Sequence, residues 1–239
     1  MKNFLTALSF LTIFPINLKN INNEIFKNSL RYFPAVGLFI GIVLFLITFL
    51  NLTPDITSLL ILLAWVVLSG GFHLDGVADI FDALGSLKDR EKAFEIMQDS
   101  RIGAIGTIAI VLTLISKFVL IRNTLIYSPL TLILAPVCGR YAINFLSRNL
   151  DYAKDKGLGK FIVDNTDTET FIASSFFVLV VTLILNVKFV FILFFYYIFL
   201  LILTLFFYRK FRGVTGDMLG ASVELSELFI LFAGVCIAC

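Results

Sequence analysis

Apolar residues in this chain come as long unbroken runs, not in the three-and-four spacing of a helix with one wet face. The runs cover residues 34–50, 57–73, 102–121, 125–147, 171–186 and 188–208. They approach or reach the ~20 residues a helix needs to cross a bilayer, and the shorter ones require little tilt. A chain in hydrocarbon must satisfy its own backbone N–H and C=O groups, so each run predicts an α-helix. Two further pieces are too short to cross alone. Residues 4–14 follow Lys2 and stop at Pro15 without a small-x-small cleavage site, which argues against a signal peptide and for an interfacial or re-entrant helix. Residues 228–239 predict a similar short element. The expected fold is all-α: a polytopic transmembrane bundle of about six spanning helices with short interfacial or re-entrant helices at both termini, forming a single integral membrane domain over residues 1–239.

The polar residues between the runs fix an orientation. Lys and Arg number three in the first connection (Lys19, Lys27, Arg31), none in 51–56, four in the next (Lys88, Arg90, Lys92, Arg101), one (Arg122), four (Arg148, Lys154, Lys156, Lys160), one (Lys188) and three (Arg209, Lys210, Arg212). This alternation places both termini and loops 17–33, 74–101, 148–170 and 209–227 in the cytoplasm of a multi-pass cell-membrane protein. Composition agrees: 59% hydrophobic and 15% charged residues, with a mean hydropathy of +0.98, lie outside the soluble range of about 45–50% apolar and about 25% charged. A net charge of +2, gathered in a few segments, implies no nucleic-acid-binding face. Cys138, Cys236 and Cys239 form no C-x-x-C pair and read as core residues.

Candidate chemistry clusters on the predicted cytoplasmic side. In Gly70-Gly71-Phe72-His73-Leu74-Asp75-Gly76-Val77-Ala78-Asp79-Ile80-Phe81-Asp82, the three Asp stand at i, i+4 and i+7, which places them on one helical face. Gathering three carboxylates near lipid is costly, about 2.5–3.5 kcal/mol each near the bilayer centre and less at its edge. A hard divalent cation, Mg²⁺, would offset that cost, and Asp75, Asp79 and Asp82 are its candidate ligands. The alternative is a solvated helix end paired with Lys88, Arg90 and Lys92. Asp99 or Ser100 can cap the helix that follows, where amide groups attract phosphate, and Arg101 can fork onto a phosphate or anchor the helix. Asp217 and Glu224, at i and i+7, share another face. Arg140, Asn144 and Arg148 recur every four residues, and Arg140 lies deep enough to need an acidic partner or an anionic substrate. Lys117 lies near the outer end of its run and is expected to snorkel. His73, the single histidine, is either an acid, base or phosphate donor or a satisfied structural group. A cation-coupled transporter remains an alternative at this point, although its ligands belong near the midplane.

At these residues the chain resembles the cobalamin synthase family. Residues 7–15 look like A-L-x-F-L-T-x-x-P, and residues 34–41 look like P-x-V-G-x-x-x-G. The strongest likenesses are 70–82 to G-G-x-H-x-D-G-x-A-D-x-x-D, 95–106 to E-I-M-x-D-S-x-I-G-x-x-G, and 215–224 to T-G-D-x-x-G-A-x-x-E, with Gly157-Leu158-Gly159 as a further match. Ala83 stands where many members have Gly, and Ile13 where many have Arg. A CDP-alcohol phosphotransferase is the nearest rival, but Asp79 occupies the place of its motif's Arg.

The resemblance implies a phosphotransferase that joins α-ribazole, or its phosphate, to the phosphoryl group on cobinamide in adenosylcobinamide-GDP, releasing GMP. In that role Asp75, Asp79, Asp82, His73, Asp99 and Arg101 are catalytic candidates, and Asp217 joins Asp75, Asp79 and Asp82 as a candidate Mg²⁺ ligand. Arg140, Ser100, Asn144, Asp217 and Glu224 are candidates for binding substrate. Self-association or contact with other cobalamin-pathway enzymes is left open.

Overall fold

Each apolar run becomes a helix, but several helices end where packing, not hydropathy, decides. The computed structural model describes residues 1–16, 22–87, 89–154 and 156–238; Lys19, Lys88 and Cys239, counted above, lie outside them. The described helices are α1 (Lys2–Leu11), α2 (Asn23–Ser29), α3 (Phe33–Ile47), α4 (Pro54–Ser69), α5 (Phe72–Gly85), α6 (Arg90–Ile96), α7 (Ala104–Tyr127), α8 (Thr131–Asn149), α9 (Leu158–Asn165), α10 (Thr168–Leu185), α11 (Phe189–Phe211) and α12 (Gly216–Ala238). Among the described residues the β-type pairing is a single parallel bridge, Tyr152 to Val214.

Five of these segments are long and apolar enough to cross a membrane, or six when the bent pair α4–α5 is taken as one span. Their outer faces carry exposed Leu46, Leu63, Leu112, Ile115, Phe176, Phe191 and Ile202, a sheath that suits lipid and not water. The chain is a polytopic helical membrane bundle. α8 differs from the five: residues 131–147 are buried without a break, so neighbouring helices cover its Arg140 and Asn144 and lipid does not. It packs closely on α3 because Gly37 and Gly41 carry no side chain. A Cβ on Gly41 would lie 2.7 Å from the Ile133 Cα, and one on Gly37 would run into the Pro136 carbonyl. The P-x-V-G-x-x-x-G stretch is therefore a seam between two backbones.

Between α4 and α5 the chain turns by 88°. Gly70 and Gly71 make the turn with φ of +64° and +68°, a region that glycine enters without the steric cost of a Cβ. At the N-terminus α1 ends at Leu11, ahead of Pro15, and the Ile13 N–H donates to the Leu68 carbonyl at 3.1 Å, tying the segment after α1 to the end of α4.

Two boundaries correct the sequence reading. Residues 228–239 are not a separate short element: α12 runs continuously from Gly216, and residues 216–237 form a candidate span. Its Gly234 packs against Thr131 at the start of α8, so the far end of α12 lies with the short connections and not with the long loops. The other boundary concerns α7, which continues past Ile121 to Tyr127. Arg122, which seemed to end the run, pairs with Asp55 of α4. Cys138 is buried as expected, whereas Cys236 is exposed on α12.

Candidate active site

α5 and α12 pack side by side near the ends that carry the long loops. Gly76 is their point of closest approach, since any Cβ there would strike the Asp217 carbonyl. Two links align the start of α12: the Ala153 N–H donates to the Val214 carbonyl and the Val214 N–H to the Asp151 carbonyl, both at 2.9 Å. Asp75 and Asp79 of α5 and Asp217 of α12 thereby line one polar cavity of about 270 Å³, closed on its third side by Gln98, Asp99, Ser100, Arg101 and Ile102.

Like charges dominate this cavity. Asp75, Asp217 and Asp82 all act on the Asp79 carboxyl, and Lys154 is the opposing charge. Lys154 reaches Asp217 at 3.5 Å, where the Thr215 hydroxyl also donates at 3.3 Å. At the rim, the Arg101 guanidinium grips Asp99 with both arms, at 3.0 and 2.7 Å. That hydrogen-bonded guanidinium pulls the Asp99 carboxyl down to about 2. Ser100 is exposed beside this pair.

Several sequence-predicted site residues stand elsewhere. Asp82 leaves the face expected to hold a metal: its carboxylate accepts from the Gly103 N–H at 2.6 Å and the Gly106 N–H at 2.8 Å. Asp82 thus caps α7, whose first turn Asp99 and Ser100 were expected to cap; the helix starts at Ala104, beyond their reach. Among the described residues no three His, Cys, Asp or Glu side chains converge tightly enough to enclose a metal ion by themselves.

Glu224 does not join Asp217. Seven residues return to the same helical face but also advance about 10.5 Å along the axis, and Glu224 is buried with Lys117 at 2.7 Å. Lys117 does not snorkel; it is 1% exposed, bonded to Glu224 and Glu227, and lies 4.4 Å from the Trp65 ring centre. Arg140 pairs with Glu227, so the acidic partner its depth called for lies inside the bundle, and its charge is not free for an anionic substrate. Asn144 is buried and donates to the Leu30 carbonyl at 3.0 Å, which makes it a strut between α8 and the turn before α3. His73 is 6% exposed and lines an adjoining apolar cavity, not the acidic one.

Residues 3–235 match the cobalamin-5-phosphate synthase family. The chain belongs to that family. Its relatives include proteins named adenosylcobinamide-GDP ribazoletransferase from Clostridioides difficile (strain 630), 34% identical over 97% of this chain and 96% of the relative. Others are from Acinetobacter baumannii (strain ACICU), 34% identical over 98% and 97%, and Clostridium botulinum (strain 657 / Type Ba4), 36% identical over 97% and 96%. No solved structure matches the chain.

In this member of the cobalamin-5-phosphate synthase family, sequence reasoning passed over two groups. Lys154, the cation nearest Asp217, was only one of four basic residues in its loop, and Glu227, three residues after Glu224, looked like one more polar residue near the end of a motif. The i, i+3 spacing of Glu224 and Glu227 was the available signal, since it points two acids to one side of a helix.

Proposed function

We propose that the chain transfers the adenosylcobinamide phosphoryl group from adenosylcobinamide-GDP to α-ribazole or its phosphate, giving adenosylcobalamin or its phosphate and GMP. The observation that carries this reading is one cavity holding carboxylates from two helices, Asp75 and Asp79 with Asp217, in a chain of this family. The alternating basic loops support a cell-membrane setting with this cavity facing the cytoplasm.

The donor set fits a hard cation. Mg²⁺ takes oxygen ligands, usually one or two carboxylates plus substrate phosphates, and needs no complete protein cage. Asp75, Asp79 and Asp217 would hold it; bound there, it would neutralise charge on the pyrophosphate and on departing GMP. Asp82 acts one step removed, by fixing the start of α7 and with it the loop that carries Arg101. Arg101, paired with Asp99, and Lys154, paired with Asp217, would offer positive charge to phosphate oxygens. In the reaction a ribose hydroxyl oxygen of the acceptor bonds to the phosphorus attached to cobinamide. The bond from that phosphorus to the bridging oxygen breaks, GMP leaves with that oxygen, and the hydroxyl proton passes to a carboxylate of this cavity.

The test is GMP release by purified protein in detergent. Asp79→Asn should lose turnover by roughly a thousandfold, in line with removal of an acid–base or charge-stabilising group, while its helical content and elution volume match wild type. Near-wild-type turnover in that variant would sink the assignment.

A further inference from the structure

Beside the acidic cavity lies a second one, of about 320 Å³, which the reaction as described does not use. The two share their walls. α5 contributes Phe72 and His73 to one cavity and Asp75 and Asp79 to the other; α12 contributes Gly216, Leu219 and Gly220 to one and Asp217 to the other. Gly216 and Asp217, neighbours at the start of α12, thus line one cavity each.

The lining is hydrocarbon and glycine, with one exception. Phe10, Phe72, Ile143, Ile162 and Leu219 form the walls, and His73 is the polar side chain among them. The imidazole Nε2 is buried away from the cavity and finds no partner among the described residues, so the edge that can meet a ligand is Nδ1. Its Nδ1 edge is turned toward Gly220, where an added Cβ would lie 3.8 Å away. A buried imidazole with bonding capacity that the protein does not use, at the wall of an apolar cavity, is the arrangement of a ligand site: apolar walls with one placed polar group.

We infer that this cavity seats the base of the acceptor nucleoside, with His73 as its hydrogen-bonding partner. The inference rests on the proposed reaction and extends it. The base of α-ribazole is a methylated benzimidazole, a flat fused ring that after glycosylation keeps one ring nitrogen as acceptor and no N–H. It matches aromatic and aliphatic walls with a single donor. Guanine, from the other substrate, carries several N–H and C=O groups that these walls would leave unpaired. The volume, near the lower end for ligand sites, admits a two-ring base and excludes a corrinoid. With the base seated there, its ribose points along α12 toward Asp217.

Gly220 offers the test. A Cβ at this position meets its nearest neighbours at 3.5–3.8 Å, ordinary contact, so Gly220→Ala is accommodated, and alanine favours the helix. Gly220→Leu projects a larger side chain into the cavity. GMP release is measured with each substrate varied in turn, and free benzimidazole binding is measured by equilibrium dialysis.

The expected result is an α-ribazole KM raised about threefold in Gly220→Ala and at least tenfold in Gly220→Leu, with the donor KM within twofold of wild type. Benzimidazole should inhibit wild type competitively against α-ribazole and bind at least tenfold more weakly to Gly220→Leu. An unchanged α-ribazole KM in both variants, or a rise confined to the donor KM, would overturn the inference. Should Gly220→Leu not purify as a single species, Gly220→Ala decides. Should wild type release no GMP, the reaction itself is wrong, and benzimidazole binding, weakened by Gly220→Ala or not, still decides what the cavity takes.

Discussion

Lys117→Met tests whether the charges inside the bundle hold it together. Lys117 and Arg140 face Glu224 and Glu227, all four buried, so the cluster is neutral: two positive and two negative groups. Removing the ammonium leaves Glu227 with Arg140 but strips Glu224 of its cation, and a net negative charge remains where no water reaches. Breaking one side of a buried pair costs about 3–5 kcal/mol, whereas removing both partners is often close to neutral. Lys117→Met should therefore destabilise by about 3–5 kcal/mol, roughly a hundred- to several-thousand-fold in the unfolding constant. Adding Glu224→Gln should restore all but about 1 kcal/mol, a coupling of at least about 2 kcal/mol. Reversible unfolding in mixed detergent micelles, followed by circular dichroism, supplies the double-mutant cycle. Trp65, whose ring lies 4.4 Å from the Lys117 ammonium, reports the same site by fluorescence. A Lys117→Met variant within about 0.5 kcal/mol of wild type, or a double variant no more stable than the single, would refute the reasoning.

Asp82→Ala should cost about 0.5–2 kcal/mol as a lost cap and speed hydrogen exchange at the Gly103 and Gly106 amides while sparing mid-α7. Gly106→Ala should have a similar effect by forcing the Asp82 carboxylate aside, read from the same amides. The Asp99 carboxyl, held near 2 by Arg101, should stay ionised from pH 5 to 9. The pair's contribution, present above the ordinary value of 3.8, is lost only as pH falls through about 2; in Arg101→Leu a carbon-13 titration should place the carboxyl back near 3.8. Chelation with EDTA should stop GMP release and added Mg²⁺ restore it; Mg²⁺ should also raise the thermal midpoint of wild type and not of Asp79→Asn.

Much of this architecture could be read from the order of residues, for identifiable reasons. Lipid demands continuous apolar surface, so α3, α7, α10 and α11 announce themselves by composition alone. Asp75 and Asp79 meet because helical geometry brings i and i+4 together. What could not be read was decided by distant partners. Asp82 obeys the same periodicity, yet two amides 21 and 24 residues away claim its carboxylate. The polar opening of α12 resembled a loop because hydropathy cannot distinguish a segment facing water from one facing α5, α7 and α8. Arg122 interrupts the apolar run, yet α7 continues past it because Asp55 of α4 pairs with its charge. That misplaced boundary moved Lys117 toward the surface on paper, although it lies inside the bundle.

α12 bears Asp217 at one end and, two and three turns deeper, the glutamates that grip Lys117 and Arg140. A slip of a single residue would move the rod about 1.5 Å and swing its side chains about 100°, pulling both glutamates off their cations into hydrocarbon. The ion pairs thus act as an indexing pin. They set the rotation and depth of a helix whose tip brings Asp217 into the acidic cavity, so that cavity inherits its alignment from charges locked well below it.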